Sequence, residues 1–274
     1  MHPKLFLLIL SFFLWKNATI AQNLETKSKP ITIGESVTIS SKILNQDRIL
    51  NVYLPESYAK ETAATYPVIY LLDGSLNEDF IHIVGLVQFG SFSWINMVPE
   101  SIVVGISNID RKHDFTFPTK NEQDKKDFPT TGGSQKFIQF IEKELQPFIT
   151  KNYRSTTTKT IIGQSLGGLL ATEILFTKSE LFDNYIIVSP SLWWNDESLL
   201  QMSLPTFQKE KSIFIAVGKE GPTMERTAKE LYYKLNVEGE KKYSLAFKFL
   251  EAQDHGDTLH LAVYAAFETI FKQK

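Results

Sequence analysis

Gly163-Gln164-Ser165-Leu166-Gly167 puts a hydroxyl between two glycines, and Gly168 extends the run of small residues. The G-x-S-x-G pattern arises by chance in about one chain in ten of this size, so its setting decides its meaning. Here it follows a short apolar stretch, residues 160–162, and opens a run whose apolar residues recur at helical spacing. Strand, sharp turn and helix in that order make an elbow that pushes a serine Oγ outward. Side chains at the flanking positions would collide with the neighbouring strand and helix, which is why they are glycine. The chemistry this suggests is nucleophilic attack on a carbonyl. The other reading is a tight turn carrying a solvent-facing serine.

A serine hydroxyl is a poor nucleophile near neutral pH and needs a base, itself oriented by a carboxylate. Where a serine elbow lies on a parallel sheet, the chain order is Ser, then Asp or Glu, then His. Of the five histidines only His255 and His260 follow Ser165. His255 stands in Asp254-His255-Gly256-Asp257, a loop after an apolar run at 245–250, where it can reach over the sheet edge. His260 lies inside a helical run and reads as a helix-face residue, so His255 is the expected base. The expected acid is Glu220, at the mouth of the loop after the apolar run 213–217. Asp196, Glu225 and Asp254 compete for that role. Two N–H donors are needed for the oxyanion. Leu166, just past the nucleophile, supplies one. The loop after residues 68–72 supplies the other, from Ser75 or, as second choice, Gly74. Asp73 at this turn reads as a structural residue.

These groups need a scaffold, and the hydrophobic pattern describes one. Residues 36–44 and 48–54 alternate apolar and polar around a turn at 45–47, as an antiparallel pair does. Short continuous apolar runs follow at 68–72, 102–106, 160–162, 185–188, 213–217 and 245–250. Such runs belong to strands buried on both faces. Helical periods separate them, as in Phe137, Phe140, Ile141, Leu145, Phe148 and Ile149, in Leu169, Leu170, Ile174 and Leu175, and in Leu259, Val263, Ala266, Phe267 and Ile270. The expected fold is α/β: a mostly parallel central sheet, helices on both faces, and antiparallel strands at the N-terminal edge. Residues 110–133 are long, polar and interrupted by Pro118 and Pro129, and are expected as a loop bordering the ligand crevice.

Of 274 residues 43% are hydrophobic, enough for one large core, and the net charge is −2. No basic stripe points to nucleic acid. Residues 1–21 read as a cleaved signal peptide: Lys4, an apolar run over 5–15, and Thr19-Ile20-Ala21 before Gln22. With no cysteine there is no disulfide and no lipid-attachment site. The expectation is an exported protein, periplasmic or secreted, with no membrane insertion after cleavage, no metal and no cofactor.

Four stretches carry a family resemblance: Tyr70-Leu71-Leu72-Asp73-Gly74, the 163–168 elbow, Ser189-Pro190-Ser191-Leu192-Trp193-Trp194, and His255-Gly256. With them the chain resembles the "putative esterase" family of α/β-hydrolases, on its esterase D-like and ferric-siderophore-esterase-like side. The resemblance implies one hydrolase domain over residues 22–274. It implies Ser165 as nucleophile, His255 as base and Glu220 as acid, although some members work as a Ser–His dyad. It also implies a small-molecule ester substrate, such as a siderophore lactone or a carbohydrate acyl ester. Asn108-Ile109-Asp110-Arg111 resembles the segment whose arginine meets an anionic or catechol-bearing substrate, here Arg111. Trp193 and Trp194 read as an aromatic wall for substrate or as packing for a cap. The chain departs from the family in carrying Asp73 where histidine often stands and Phe117 between Thr116 and Pro118. Two readings of another class remain. Asp254, His255, Asp257 and His260 have the residue types of a metal site, and a hydrolase scaffold can serve as a non-catalytic siderophore or sugar binder.

Overall fold

The computed structural model describes residues 26–237 and 243–272. The signal segment expected at residues 1–21 lies outside them. The chain divides into two units, Met1–Thr32 and Ile33–Lys274. In the first, residues 26–32 adopt no regular secondary structure.

Among the described residues, the second unit holds eight strands: β1 (Gly34–Ser41), β2 (Gln46–Tyr53), β3 (Tyr66–Leu71), β4 (Ile102–Ile106), β5 (Ser155–Gln164), β6 (Asn184–Val188), β7 (Lys211–Gly218) and β8 (Tyr243–Leu250). They form one sheet in the order β1-β2-β4-β3-β5-β6-β7-β8. β1 and β2 are antiparallel, β2 runs antiparallel to β4, and the remaining pairs are parallel. The helices are α1 (Ser57–Lys60), α2 (Phe80–Gly90), α3 (Arg111–Asp114), α4 (Glu122–Asp127), α5 (Ser134–Phe140), α6 (Gln146–Asn152), α7 (Leu166–Thr177), α8 (Trp194–Gln201), α9 (Pro222–Val237) and α10 (Thr258–Ile270).

Alternation along each central strand sorts its side chains to opposite faces. Val68, Tyr70, Ile161, Ile187 and Ile215 enter one core with α5, α6, α7 and α9. Ile69, Leu71, Ile162, Ile186 and Phe214 enter the other with α2 and α10. Both faces are covered, so the strands read as unbroken apolar runs rather than as alternating ones. The same logic explains an element that periodicity did not reveal. α2, FIHIVGLVQFG, is apolar on most sides, and its two glycines blur a 3.6-residue period. α7 is buried over the whole of 166–176, so the single apolar face expected there is in fact a helix buried all round.

Residues 110–133 are not a plain loop. They carry α3 and α4 and are bolted to the rest of the unit. Buried Asp114 meets Arg48 of β2 at 2.8 Å, and the guanidinium lies 5.1 Å from the Phe137 ring centroid. On the other side, Trp194 Nε1 donates to the Phe117 carbonyl at 2.9 Å, Asn195 N–H donates to Asp124, and Asn121 donates to Asp196. Asn195, Asp196 and Glu197 all have positive φ, of 51°, 53° and 60°. Such strain costs on the order of 1 kcal/mol per residue and persists only where neighbours over-determine it. These cross-bonds do so.

Candidate active site

The parallel register brings the C-terminal ends of β3, β5, β6 and β7 level, with Leu71 opposite Ile162, Gln164 opposite Val188, and Val188 opposite Ala216. Every group of interest leaves this edge. At the end of β5 the chain turns through Ser165, whose φ of 60° and ψ of −120° are strained for a residue with a Cβ. The turn is pinned. Ser165 N–H donates to Val188 O at 3.1 Å, and its carbonyl accepts from Leu169 at 2.9 Å and Ser191 at 3.0 Å. A Cβ at Gly163 would lie 2.3 Å from Gly167 O, and one at Gly168 would lie 2.9 Å from Pro190 Cα. Both glycines are therefore close approaches that no side chain fits.

Glu220 comes from the turn after β7 and His255 from the loop after β8. His255 Nδ1 meets Glu220 Oε2 at 2.5 Å. A carboxylate only accepts, so Nδ1 carries a proton, and in the neutral ring Nε2 is left with the lone pair. The other Glu220 oxygen accepts from Ser189 Oγ, from the Gly218 N–H at 2.8 Å and from Thr258 Oγ1 at 3.3 Å. Burial alone would raise the Glu220 pKa, but the hydrogen bonds from His255, Ser189 and Gly218 outweigh it and hold the carboxyl below its ordinary value. The carboxylate is 1% exposed while the His255 ring is 48% exposed: the acid is fixed and the ring faces solvent.

The competing acids are occupied elsewhere. Asp196 accepts from Asn121 of the 110–133 segment, Glu225 accepts the Gly221 N–H at the start of α9, and Asp254 accepts the Gly256 N–H. The grouping of Asp254, His255, Asp257 and His260 disperses as well. Asp257 accepts the Asp254 N–H, and His260 packs edge-on to His82 of α2 at 5.8 Å. Among the described residues no set of three or more His, Cys, Asp or Glu side chains is placed to hold a metal.

Three clefts open on Ser165. One, of about 350 Å³, has Asp73, Glu78, Asp79, Arg111 and His255 in its walls. The second, of about 520 Å³, is lined by Lys112, Phe128, Leu166, Ser191 and Trp193. The third, of about 670 Å³, is lined by Trp193, Lys219, Met224, Asp254 and His255. Asp79 in the first cleft is pushed up to about 6, by burial and by the nearby charges of Asp73 and Glu78.

Several expected roles change on this geometry. Gly74 cannot serve an oxyanion, because its N–H already donates to Ile106 O at 3.0 Å. Ser75 N–H donates to Glu78 at a long 3.3 Å and is the more displaceable of the two. The Leu166 N–H opens α7, where the first turn has no intrahelical partner to offer. Arg111 reaches the site, yet its guanidinium forks onto Asp73, with Nε to Oδ1 at 2.7 Å and Nη2 to Oδ2 at 2.9 Å. Its charge is largely spent inside the protein. Trp193 borders two clefts, whereas Trp194 is fully buried against the 110–133 segment and borders none of the three. Sequence reasoning missed Ser189, Ser191 and Thr258. Ser191 is buried, with Oγ 3.4 Å from Ser165 Oγ. The one available signal was that Ser189-Pro190-Ser191 follows a strand on the same sheet edge as the elbow.

Residues 41–260 match the family described as "Putative esterase". The ferri-bacillibactin esterase BesA of Bacillus subtilis is 29% identical over 245 residues, spanning 81% of this chain and 84% of that protein. Among solved structures, the BES protein from Bacillus cereus superposes with a TM-score of 0.78 at 29% identity, covering 91% of this chain and 99% of that one. An IroE-like serine hydrolase from Shewanella oneidensis gives 0.76 at 28% identity, covering 87% and 80%. With this match over most of its length and an α/β-hydrolase strand order, the chain belongs to the "Putative esterase" family and is an ester-hydrolysing enzyme.

Proposed function

We propose that this enzyme is a serine esterase that opens an ester bond of a siderophore through an acyl-enzyme on Ser165, and that it works after export. The observation that carries the reading is the His255–Glu220 pair, whose imidazole lines two of the clefts that open on Ser165. Ser165 Oγ attacks the ester carbonyl as His255 Nε2 takes its proton. The Leu166 N–H, at the positive end of α7, and the Ser75 N–H, released from Glu78, receive the oxyanion. Collapse expels the alcohol, which takes the proton back from His255. Water, deprotonated by the same nitrogen, then frees the acid and restores Ser165. Glu220 stays ionised throughout and stabilises the imidazolium.

The siderophore assignment is supported by what the named relatives act on and by the shape of the site. Three clefts around one nucleophile suit a branched ester better than a linear acyl chain. Trp193 and Phe128 offer aromatic faces, with the Lys112 ammonium 4.9 Å from the Phe128 ring centroid. Such a surface suits an aromatic, anion-bearing arm. Export is supported by residues 1–21 of the sequence. Among the described residues no helix is long and apolar enough to cross a membrane.

The test compares wild type with Ser165→Ala on a p-nitrophenyl ester and on a catecholate tri-ester with and without iron. Turnover that falls by about 10³-fold or more in the variant is expected. Ligand binding without turnover in either form would instead favour a binder on a hydrolase scaffold.

A further inference from the structure

Gln164 lies between the first glycine of the elbow and the nucleophile, as the last residue of β5. The proposed mechanism gives its side chain no part. Yet its Nε2 donates to the backbone carbonyl of His255 at 2.7 Å, across 91 residues of chain. Its own carbonyl faces Arg111 Nη2 at 3.5 Å.

The loop it holds needs support. Residues 254–257 are all exposed. Three of the hydrogen bonds there close on the segment itself, Asp254 N–H to Asp257, Gly256 N–H to Asp254, and Thr258 Oγ1 to the Asp254 carbonyl, while the flanks are held by Lys219 N–H on the Gln253 carbonyl and Thr258 Oγ1 on Glu220. Among the described residues, His255 itself is tied outside this segment at two points. Glu220 holds the ring from the β7 side, and Gln164 holds the backbone from the β5 side. The two ties do different things. A single bond at Nδ1 fixes which face of the imidazole meets the carboxylate, but leaves the ring free to swing about that contact. The bond at the carbonyl fixes where the His255 backbone stands relative to the strand that ends in Ser165.

We infer that Gln164 is a positioning residue for the base: it couples the His255 loop to the nucleophile elbow, so that Nε2 and Ser165 Oγ keep their separation. The inference rests on the assignment of Ser165 and His255 as nucleophile and base. A displacement of the base by about 1 Å is enough to cost about 10²-fold in rate, so this bond acts on the chemical step and not on substrate affinity.

The experiment measures kcat, KM and Tm on p-nitrophenyl acetate for wild type, Ser165→Ala, His255→Ala, Gln164→Met and the double variant Gln164→Met/His255→Ala. Met keeps the length of Gln and removes the donor. The expected result is a kcat lower by about 10- to 100-fold in Gln164→Met, with KM within about twofold and Tm unchanged. In the His255→Ala background the same change should leave the residual rate unaltered, because the base it positions is gone. Gln164→Glu, of equal size with an acceptor in place of the donor, should lose at least as much and serves if the Met variant folds poorly. A Gln164→Met kcat within about twofold of wild type, while Ser165→Ala and His255→Ala are inactive, would overturn the inference and leave the esterase reading standing. An equal loss with and without His255 would overturn it too, since Gln164 would then act on the elbow alone. Wild-type turnover in Ser165→Ala would remove the esterase reading and this inference together.

Discussion

Two carboxylates leave the same sheet edge on either side of Ser165, each two residues beyond a strand: Asp73 after β3 and Glu220 after β7. Asp73 is forked onto Arg111 and further held by Asn108 Nδ2 at 2.6 Å. Glu220 is aimed at an imidazole. A guanidinium cannot give up its proton in a protein, so the Asp73 pair is a fixed wall. An imidazole can lose and regain its proton, so the Glu220 pair can support a proton in motion. A third carboxylate, Glu173, is buried in α7 with neither kind of partner. Its Oε1 accepts from Ser134 Oγ at 3.0 Å and its Oε2 is buried without one. Burial pushes its pKa up to about 7 despite the Ser134 bond. Similar carboxyl groups thus become a wall, the partner of an imidazole or a neutral acid according to what the tertiary fold sets against them.

The sharpest way to break this contrast is Glu220→Gln. It keeps the shape, but a neutral amide cannot stabilise an imidazolium, and kcat is expected to fall by about 10³-fold with Tm little changed. Retention of more than a tenth of wild-type turnover would make the pair a Ser–His dyad and leave Glu220 a structural residue. Arg111→Met tests the wall. It strands the Asp73 carboxylate, and unfolding in urea should show a loss of about 3 kcal/mol that Asp73→Asn in the same chain largely restores. A loss that the second change does not relieve would mean that Arg111 contributes packing and not charge pairing.

Glu173→Gln tests the neutral acid. A carboxyl whose folded pKa lies above its unfolded value makes the fold lose stability as pH rises from about 4.5 to about 7, and the deficit persists above. The variant should therefore be more stable than wild type by about 3 kcal/mol at pH 8 and no more stable at pH 4. Equal Tm differences at both pH values would show that the group is not neutral in the native state. The smallest effect is expected for Ser189→Ala. It removes one of the hydrogen bonds that hold Glu220, and kcat should fall by about tenfold. An unchanged kcat would mean that the Gly218 N–H and Thr258 suffice.

The local features of this protein could be read along the chain because each is set within a few residues. The elbow is one: strand, glycine, serine, glycine and helix are contiguous, and the collision that demands Gly163 is with Gly167, four residues on. The strands are another, since a run buried on both faces announces itself by composition. Pairing was not legible in this way. Glu220 meets His255 across 35 residues and Arg111 meets Asp73 across 38, and both meetings depend on which strand ends the sheet order places side by side. Sequence alone left Glu220 among several acids. It also treated Trp193 and Trp194 alike, although the chain turns one to the clefts and buries the other through its bond to Phe117.

By itself, then, the sequence determined the strand–turn–helix elbow around Ser165, the chain order of its candidate partners and the layered α/β plan, because hydrophobic period and backbone sterics act locally. Tertiary structure decided which carboxylate faces His255, which arginine charge is spent inside the protein, and which side chain bonds the His255 backbone from the strand that ends beside Ser165. Those are contacts between strand ends, and no local rule reaches from one strand end to the next.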